Sequence, residues 1–295
     1  MNKILVTGAT GHLGKATVTK LIEKVDAKNI AVMVRDAAKA DDLKQLGVEI
    51  RVGDYDNKAS LVSAFTGINK LFFVSGNDIA NRIQQHENIV KAAKEAGVKH
   101  VVYTSFMRKN ETETSPIAFV AASHLKAEQW LKESGMAYTF LRNGLYMDIM
   151  PMFLGEKVLE TGAVYFPAGD GKTAFTLRDD MSLVGANVLA TEGHENKVYN
   201  ISNTEAVSFA DIALILSEIS GKQINYVSPT KDEFVATLVG AGVPAEMAQF
   251  SAGFAEAINQ GEFSQTSNDI ELLTGKKPTS VKQFLQQLFG KQTSN

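Results

Sequence analysis

Three glycines spaced three apart, Gly8, Gly11 and Gly14, follow directly on the apolar run Ile4-Leu5-Val6-Thr7 near the start of a 295-residue chain. From Lys15 the pattern turns helical. Strand, tight turn and helix in that order gather backbone N–H groups at one point, where the positive end of a helix dipole favours an anion. Gly8 permits the turn, Gly11 lets the backbone approach a pyrophosphate, and Gly14 lets helix and strand pack closely. The segment Gly8-Ala9-Thr10-Gly11-His12-Leu13-Gly14 is therefore read as the phosphate cradle of a dinucleotide.

The next chemistry-bearing pair is Arg35-Asp36, at the end of the strand-like run Ile30-Ala31-Val32-Met33-Val34 and 21 residues past Gly14. At this place an acidic residue bonds the ribose 2′-hydroxyl of NAD, whereas an arginine accommodates the 2′-phosphate of NADP. Arg35 predicts NADPH, and Asp36 keeps NADH possible. A further apolar run, Lys70–Val74, ends on the small polar tip Ser75-Gly76-Asn77. Ligands of open α/β sheets lie beyond the carboxyl ends of the strands, so this tip is expected to border the ribose and pyrophosphate.

Positioning these groups requires a sheet. Strands are predicted at Lys3–Thr7, Ile30–Val34, Val48–Val52, Lys70–Val74, His100–Ser105 and Ala137–Leu141, with helices near Ala37–Leu46, Ile79–Ala96 and Phe119–Glu133 between them. Strand and helix alternate, and Lys70–Val74 is apolar enough to be buried on both faces, as a parallel strand should be. The fold class is α/β: a doubly wound, Rossmann-type dinucleotide-binding domain over 1–150. Residues 151–295 are read as a smaller α/β substrate domain, with strands near Ala163–Phe166 and Lys197–Ile201, the latter able to return to the first sheet. A helix is expected from about Asp180 and a last one at Val281–Phe289.

Bulk properties narrow the class. Hydrophobic residues make up 44% of the chain, charged residues 21%, and the net charge is -3, with no basic block of the kind a nucleic-acid footprint needs. With no cysteine, the chain has no disulfide, thiolate zinc site or cysteine nucleophile. No apolar run approaches the roughly 18 residues of a membrane span, and Met-Asn-Lys leads straight into a strand, leaving no room for a signal peptide. A cytoplasmic protein with no nucleic-acid or membrane partner is expected. His86 is read as structural, because no other ligand recurs at metal spacing; no metal is expected.

The glycine motif resembles that of the short-chain dehydrogenase/reductase superfamily in its extended or atypical branch. In that superfamily Asp54, in Gly53-Asp54-Tyr55, stands where an aspartate meets the adenine amino group, and Thr104, at the tip of the fifth strand, is counted among the cofactor-binding residues. The superfamily's Tyr-x-x-x-Lys acid is missing: none of the seven tyrosines has a lysine four residues on. Together with Val34-Arg35, Ala96-Gly97-Val98-Lys99-His100 and Tyr138-Thr139-Phe140-Leu141-Arg142-Asn143-Gly144-Leu145-Tyr146, the chain is similar to the NmrA-like atypical reductases over nearly its whole length. Among these it looks most like bacterial type-2 quinone oxidoreductases and triphenylmethane dye reductases.

The resemblance implies that Asn143, Gly144, Leu145 and Tyr146 flank the nicotinamide. It puts His124 where the isoflavone-reductase-like branch has a lysine, so His124 and Tyr146 are the candidates at the reacting end, His124 as a proton donor. The methionines at 147, 150 and 152 suit either a pocket for flat apolar molecules or core packing. Arg178 could reach the cleft, though a surface place is expected. The activity implied is hydride transfer to a small aromatic acceptor, a quinone or dye; the alternative is an NADP(H) sensor that reduces nothing. The missing tyrosine-lysine pair disfavours a sugar-nucleotide epimerase. The oligomeric state is left open.

Overall fold

The computed structural model describes residues 3–155 and 157–290. Seven parallel strands make the central sheet: β1 (Ile4–Val6), β2 (Ile30–Val34), β3 (Glu49–Val52), β4 (Lys70–Phe73), β5 (His100–Phe106), β6 (Ala137–Asn143) and β9 (Lys197–Ile201). Their order is β3-β2-β1-β4-β5-β6-β9, so the direction of winding reverses between β1 and β4. This is the switch point where open sheets bind their ligands. All five residues of β2 are buried, as a strand covered on both faces must be.

Helices α3 (Lys58–Phe65), α4 (Arg82–Glu95) and α5 (Ala118–Glu133) cover one face, over a core around Leu5, Leu71, Phe73 and Phe140. Helices α1 (His12–Leu21), α8 (Arg178–Ala190) and α12 (Asp269–Thr274) cover the other, over Val6, Val32 and Val102. The run predicted as one helix near Ala37–Leu46 is a 3-10 turn at Ala37–Lys39, capped by the Asp36 carboxylate, followed by the short α2 (Asp41–Gln45), the two separated at Ala40, whose φ of -116° and ψ of 20° leave helical geometry.

Residues after 150 serve both parts of the molecule. While α8, β9 and α12 join the large sheet, the others gather around a third core built on Phe153, Phe166, Phe175 and Phe209. This second lobe holds α6 (Met150–Leu154), α7 (Val158–Thr161), β7 (Ala163–Tyr165), β8 (Lys172–Thr173), β10 (Val207–Ser208), α9 (Phe209–Ser220), β11 (Asn225–Val227), α10 (Lys231–Gly240), α11 (Ala245–Asn259) and α13 (Val281–Phe289). The chain crosses between lobes along a hydrogen-bonded seam: Thr176 N–H donates to the Leu145 carbonyl and Met147 N–H to the Thr176 carbonyl, both at 2.9 Å, and Gly144 N–H donates to the Ile201 carbonyl at 2.8 Å.

Candidate functional site

The chain leaves β1 through Thr7 and turns at Gly8, whose φ of +59° lies in the left-handed region that favours glycine. Gly11 N–H closes the turn on the Gly8 carbonyl at 2.9 Å, and α1 begins at once. Gly11 is its N-cap and no side chain caps it, so the first amides of α1 are left for a ligand. A Cβ on Gly14 would come within 2.7 Å of the Gly8 carbonyl carbon, so this position tolerates no side chain while helix and strand stay in contact.

Around this turn opens a cleft of about 510 Å³. Its walls are the glycine turn, the end of β2 at 33–35, the end of β3 at 53–56 and the β4 tip at 74–78, closed by Gln85, Tyr146 and Arg178. Of the sequence-predicted site residues, Gly8, Thr10, Gly11, His12, Leu13, Gly14, Arg35, Asp54, Ser75, Gly76, Asn77 and Tyr146 lie on it. The structure places the others elsewhere. Ala9 is fully buried beneath the turn. Thr104 sits behind the β4 tip, where its hydroxyl accepts the Ser75 N–H at 2.9 Å. Asn143 and Leu145 are buried, and Gly144 lies in the seam, where a Cβ would meet Thr176 Oγ1 at 3.3 Å and two carbonyl oxygens at 3.4 Å. Of the methionines, Met147 and Met150 are core and Met152 points to solvent.

Arg35 is exposed at the mouth of the cleft, and no hydrogen bond or ion pair from the described residues occupies its guanidinium. One oxygen of the neighbouring Asp36 carboxylate accepts Ala38 N–H at 2.9 Å and caps the turn that follows β2. One oxygen of Asp54 accepts Asp56 N–H at 3.1 Å, forming the turn that presents it. These features fit a dinucleotide phosphorylated on its adenosine ribose: an uncapped helix start for the pyrophosphate and an unpaired guanidinium for the 2′-phosphate.

Several cleft residues went unread in the sequence. The Tyr55 hydroxyl lies 2.7 Å from both the Thr7 hydroxyl and the Val74 carbonyl, tying the β1 and β4 tips together. Its place directly after Asp54 was the available signal. Arg178 is in the cleft rather than on the outer surface: it pairs with Asp148 at 3.2 Å and its guanidinium lies 5.4 Å from the centre of the Tyr146 ring. Burial raises the Tyr146 phenol's pKa, opposed by a hydrogen bond from Asn143 and the cations Arg178 and Arg82, so Tyr146 is a neutral hydroxyl at physiological pH.

Behind the β4 tip runs a buried polar chain. Gly76 N–H donates to His86 Nε2 at 3.3 Å, and the Tyr103 hydroxyl lies 2.7 Å from His124 Nδ1 and 3.4 Å from His86 Nδ1. Because His86 Nε2 is an acceptor, its ring proton sits on Nδ1. His124 is 4% exposed and is not among the residues lining the cleft. Burial, reinforced by the Arg82 cation, holds its imidazole pKa well below the ordinary value and brings His86 down to about 3. His124 is thus neutral and enclosed, the opposite of the state a proton-donating imidazolium needs. A second buried cluster stands beside it: Glu128 accepts from Ser105 at 2.6 Å, from Arg108 at 3.1 Å and from Arg142 at 2.6 Å. No group of three His, Cys, Asp or Glu placed to hold a metal occurs among the described residues, nor any helix long and apolar enough to cross a membrane.

Sheet order, switch-point cleft and glycine turn define a doubly wound dinucleotide-binding protein. The NmrA-like family model matches residues 1–285, and the chain belongs to that family. It is 35% identical to quinone oxidoreductase 2 of Escherichia coli over 97% of this chain and 98% of that one, and 33% identical to an NAD(P)H azoreductase of Xenophilus azovorans over 83% of each. The triphenylmethane reductase of Citrobacter sp., solved with NADP(H), superposes with a TM-score of 0.88 at 40% identity, covering 99% of this chain and all of that one.

Proposed function

We propose that this protein is an NADPH-dependent reductase that passes hydride to a quinone or a similar flat aromatic acceptor, triphenylmethane-type dyes included. The observation that carries the cofactor reading is Arg35, an unpaired guanidinium at the mouth of a cleft whose other end is an uncapped helix start. The acceptor class is supported by the relatives, which are named as reductases of quinones, azo compounds and triphenylmethane dyes. The cytoplasm is the proposed compartment, supported by a cysteine-free chain that needs no oxidising environment to fold.

When bound, NADPH supplies the hydride, from its nicotinamide. The amides at the start of α1 hold the pyrophosphate and Arg35 the 2′-phosphate, while Asp54 borders the adenine. Ser75, Gly76 and Asn77 border the ribose and pyrophosphate. Tyr146 closes the cleft as a neutral hydroxyl, kept in place by Asn143 and by Arg178 over its ring. With no tyrosine-lysine acid and a neutral His124, the protein enforces no proton delivery. A reduced quinone takes its proton from water, and a cationic dye carbon needs none. The protein's contribution is orientation and exclusion of water.

The test is to mix the purified protein with NADPH and a panel of quinones and cationic dyes and follow the nicotinamide absorbance. Oxidation that depends on the acceptor is expected. Tight NADP(H) binding without turnover of any acceptor would replace this reading with that of a dinucleotide sensor.

A further inference from the structure

Arg108, Arg142 and Arg178, buried or half-buried in the protein, have carboxylates: Arg108 pairs with Glu111 and Glu128, Arg142 with Glu128, and Arg178, which lines the cleft, with Asp148. Arg82 differs. It is 6% exposed, and no carboxylate among the described residues pairs with it. Its Nε donates to Ser123 Oγ at 2.7 Å, and its two terminal nitrogens to the carbonyls of Val120 at 2.9 Å and Gly76 at 3.4 Å, all neutral acceptors. The titratable groups that face it are the phenols of Tyr103 and Tyr146 and the imidazoles of His86 and His124, all neutral. A buried, hydrogen-bonded cation with no counter-charge is a costly arrangement that folding alone does not reward. Arg82 does not itself line the cleft; Gly76, whose carbonyl accepts from its guanidinium, and Tyr146 both do, so the charge stands behind the cleft wall and acts through it.

We propose that Arg82 is a specificity-determining residue: its buried positive charge favours acceptors that become anionic on receiving hydride over acceptors that arrive as cations. This rests on the reductase reading. In quinone reduction the nicotinamide C4–H bond breaks and an O–H bond forms at one carbonyl oxygen. The ring electrons rearrange so that the other oxygen becomes a phenolate, which takes a proton from water, and the cofactor is left as NADP⁺. Negative charge appears on the acceptor during the transfer, and a preorganised cation in a water-poor wall stabilises it. A triphenylmethane cation instead takes hydride on its central carbon and becomes neutral. No anion forms, and the same cation opposes its binding. Arg82 fills, by charge, the part that a proton-donating tyrosine would fill by acid catalysis.

The test compares the wild type, Arg82→Met and Arg82→Lys with menadione and crystal violet as acceptors. Binding of anthraquinone-2-sulfonate and of crystal violet to the NADP⁺-loaded protein is measured alongside by calorimetry. For Arg82→Met, kcat/KM for menadione is expected to fall about tenfold or more and that for crystal violet to rise, with Kd values moving in opposite directions for the anionic and cationic ligands. Arg82→Lys, which keeps the charge but loses the planar hydrogen-bonding fork, is expected to hold the wild-type ratio. An equal loss with both acceptors, or a lysine variant that matches the methionine one, would overturn the proposal and leave Arg82 a structural tie between α4 and α5. If the wild type oxidises NADPH with neither acceptor, the reductase reading fails, and the Kd ratio alone then decides the role of the charge.

Discussion

Replacing Arg35 with alanine is the sharpest probe of the cofactor site, because the structure isolates one contact. The guanidinium is exposed and unpaired, so its removal breaks nothing inside the protein. A charge-assisted bond to phosphate contributes about 1.5–3 kcal/mol, and solvent exposure puts Arg35 at the lower end. About 1.5 kcal/mol is roughly a tenfold loss in kcat/KM for NADPH. With NADH the loss should stay below about twofold, since no 2′-phosphate is present. Initial rates against both cofactors at low and raised salt measure this, and the NADPH advantage should shrink as salt screens the exposed charge. Equal losses with the two cofactors, or an unchanged ratio, would refute the assignment of Arg35 to the 2′-phosphate.

Two further predictions concern the frame of the site. Gly14→Ala would press a methyl group against the Gly8 carbonyl, so it should lower stability by about 1–3 kcal/mol in urea unfolding and weaken NADP⁺ binding in the same variant; normal values for both would contradict the close packing of turn and helix. Glu128, despite burial that raises its pKa, is brought from 4.5 to about 2 by Arg142, Arg108 and Ser105. A depressed carboxylate stabilises the fold above its unfolded pKa, so this contribution, about 3 kcal/mol, is complete above pH 5 and disappears as pH falls towards 2. The stability gap between wild type and Glu128→Gln should therefore be wide at pH 7, reduced by about half at pH 3 and mostly closed near pH 2. A gap of constant width would show that the carboxylate is not the titrating group.

What the sequence disclosed and what it hid follow from the range of the forces involved. The strand β2 and the helix α13 are found at their predicted limits, because a continuous apolar run or an amphipathic period is a local pattern that burial reads directly; β9 also keeps its predicted limits, although its first two residues are exposed. The glycine turn was equally legible, since its requirements on φ and on close approach bear on the glycines themselves. Arg82 and Arg178 carried no such signal: each is the first residue of a helix, and where a long side chain goes from there depends on what distant segments leave open. His124 was found as a position but not as a state. Its neutrality comes from burial and from Arg82, 42 residues away in the chain. Gly144 was read as part of the nicotinamide wall, and only the meeting of residues 174 to 176 and 201 gives its reason.

That meeting bears on how such a protein changes its choice of acceptor. Three passages of main chain between the lobes run side by side at Gly144, close enough that a side chain there would crowd two carbonyl oxygens and the Thr176 hydroxyl. Tyr146, two residues further on, is already a wall of the cleft and is bridged to Thr176. The opening between the half that holds the cofactor and the half that faces the acceptor is thus gauged by backbone packing at a single glycine. Side chains on the second lobe can be exchanged to suit a new acceptor without touching that junction, whereas a side chain at 144 would have to be accommodated by Thr176 and by the main chain of both lobes at once.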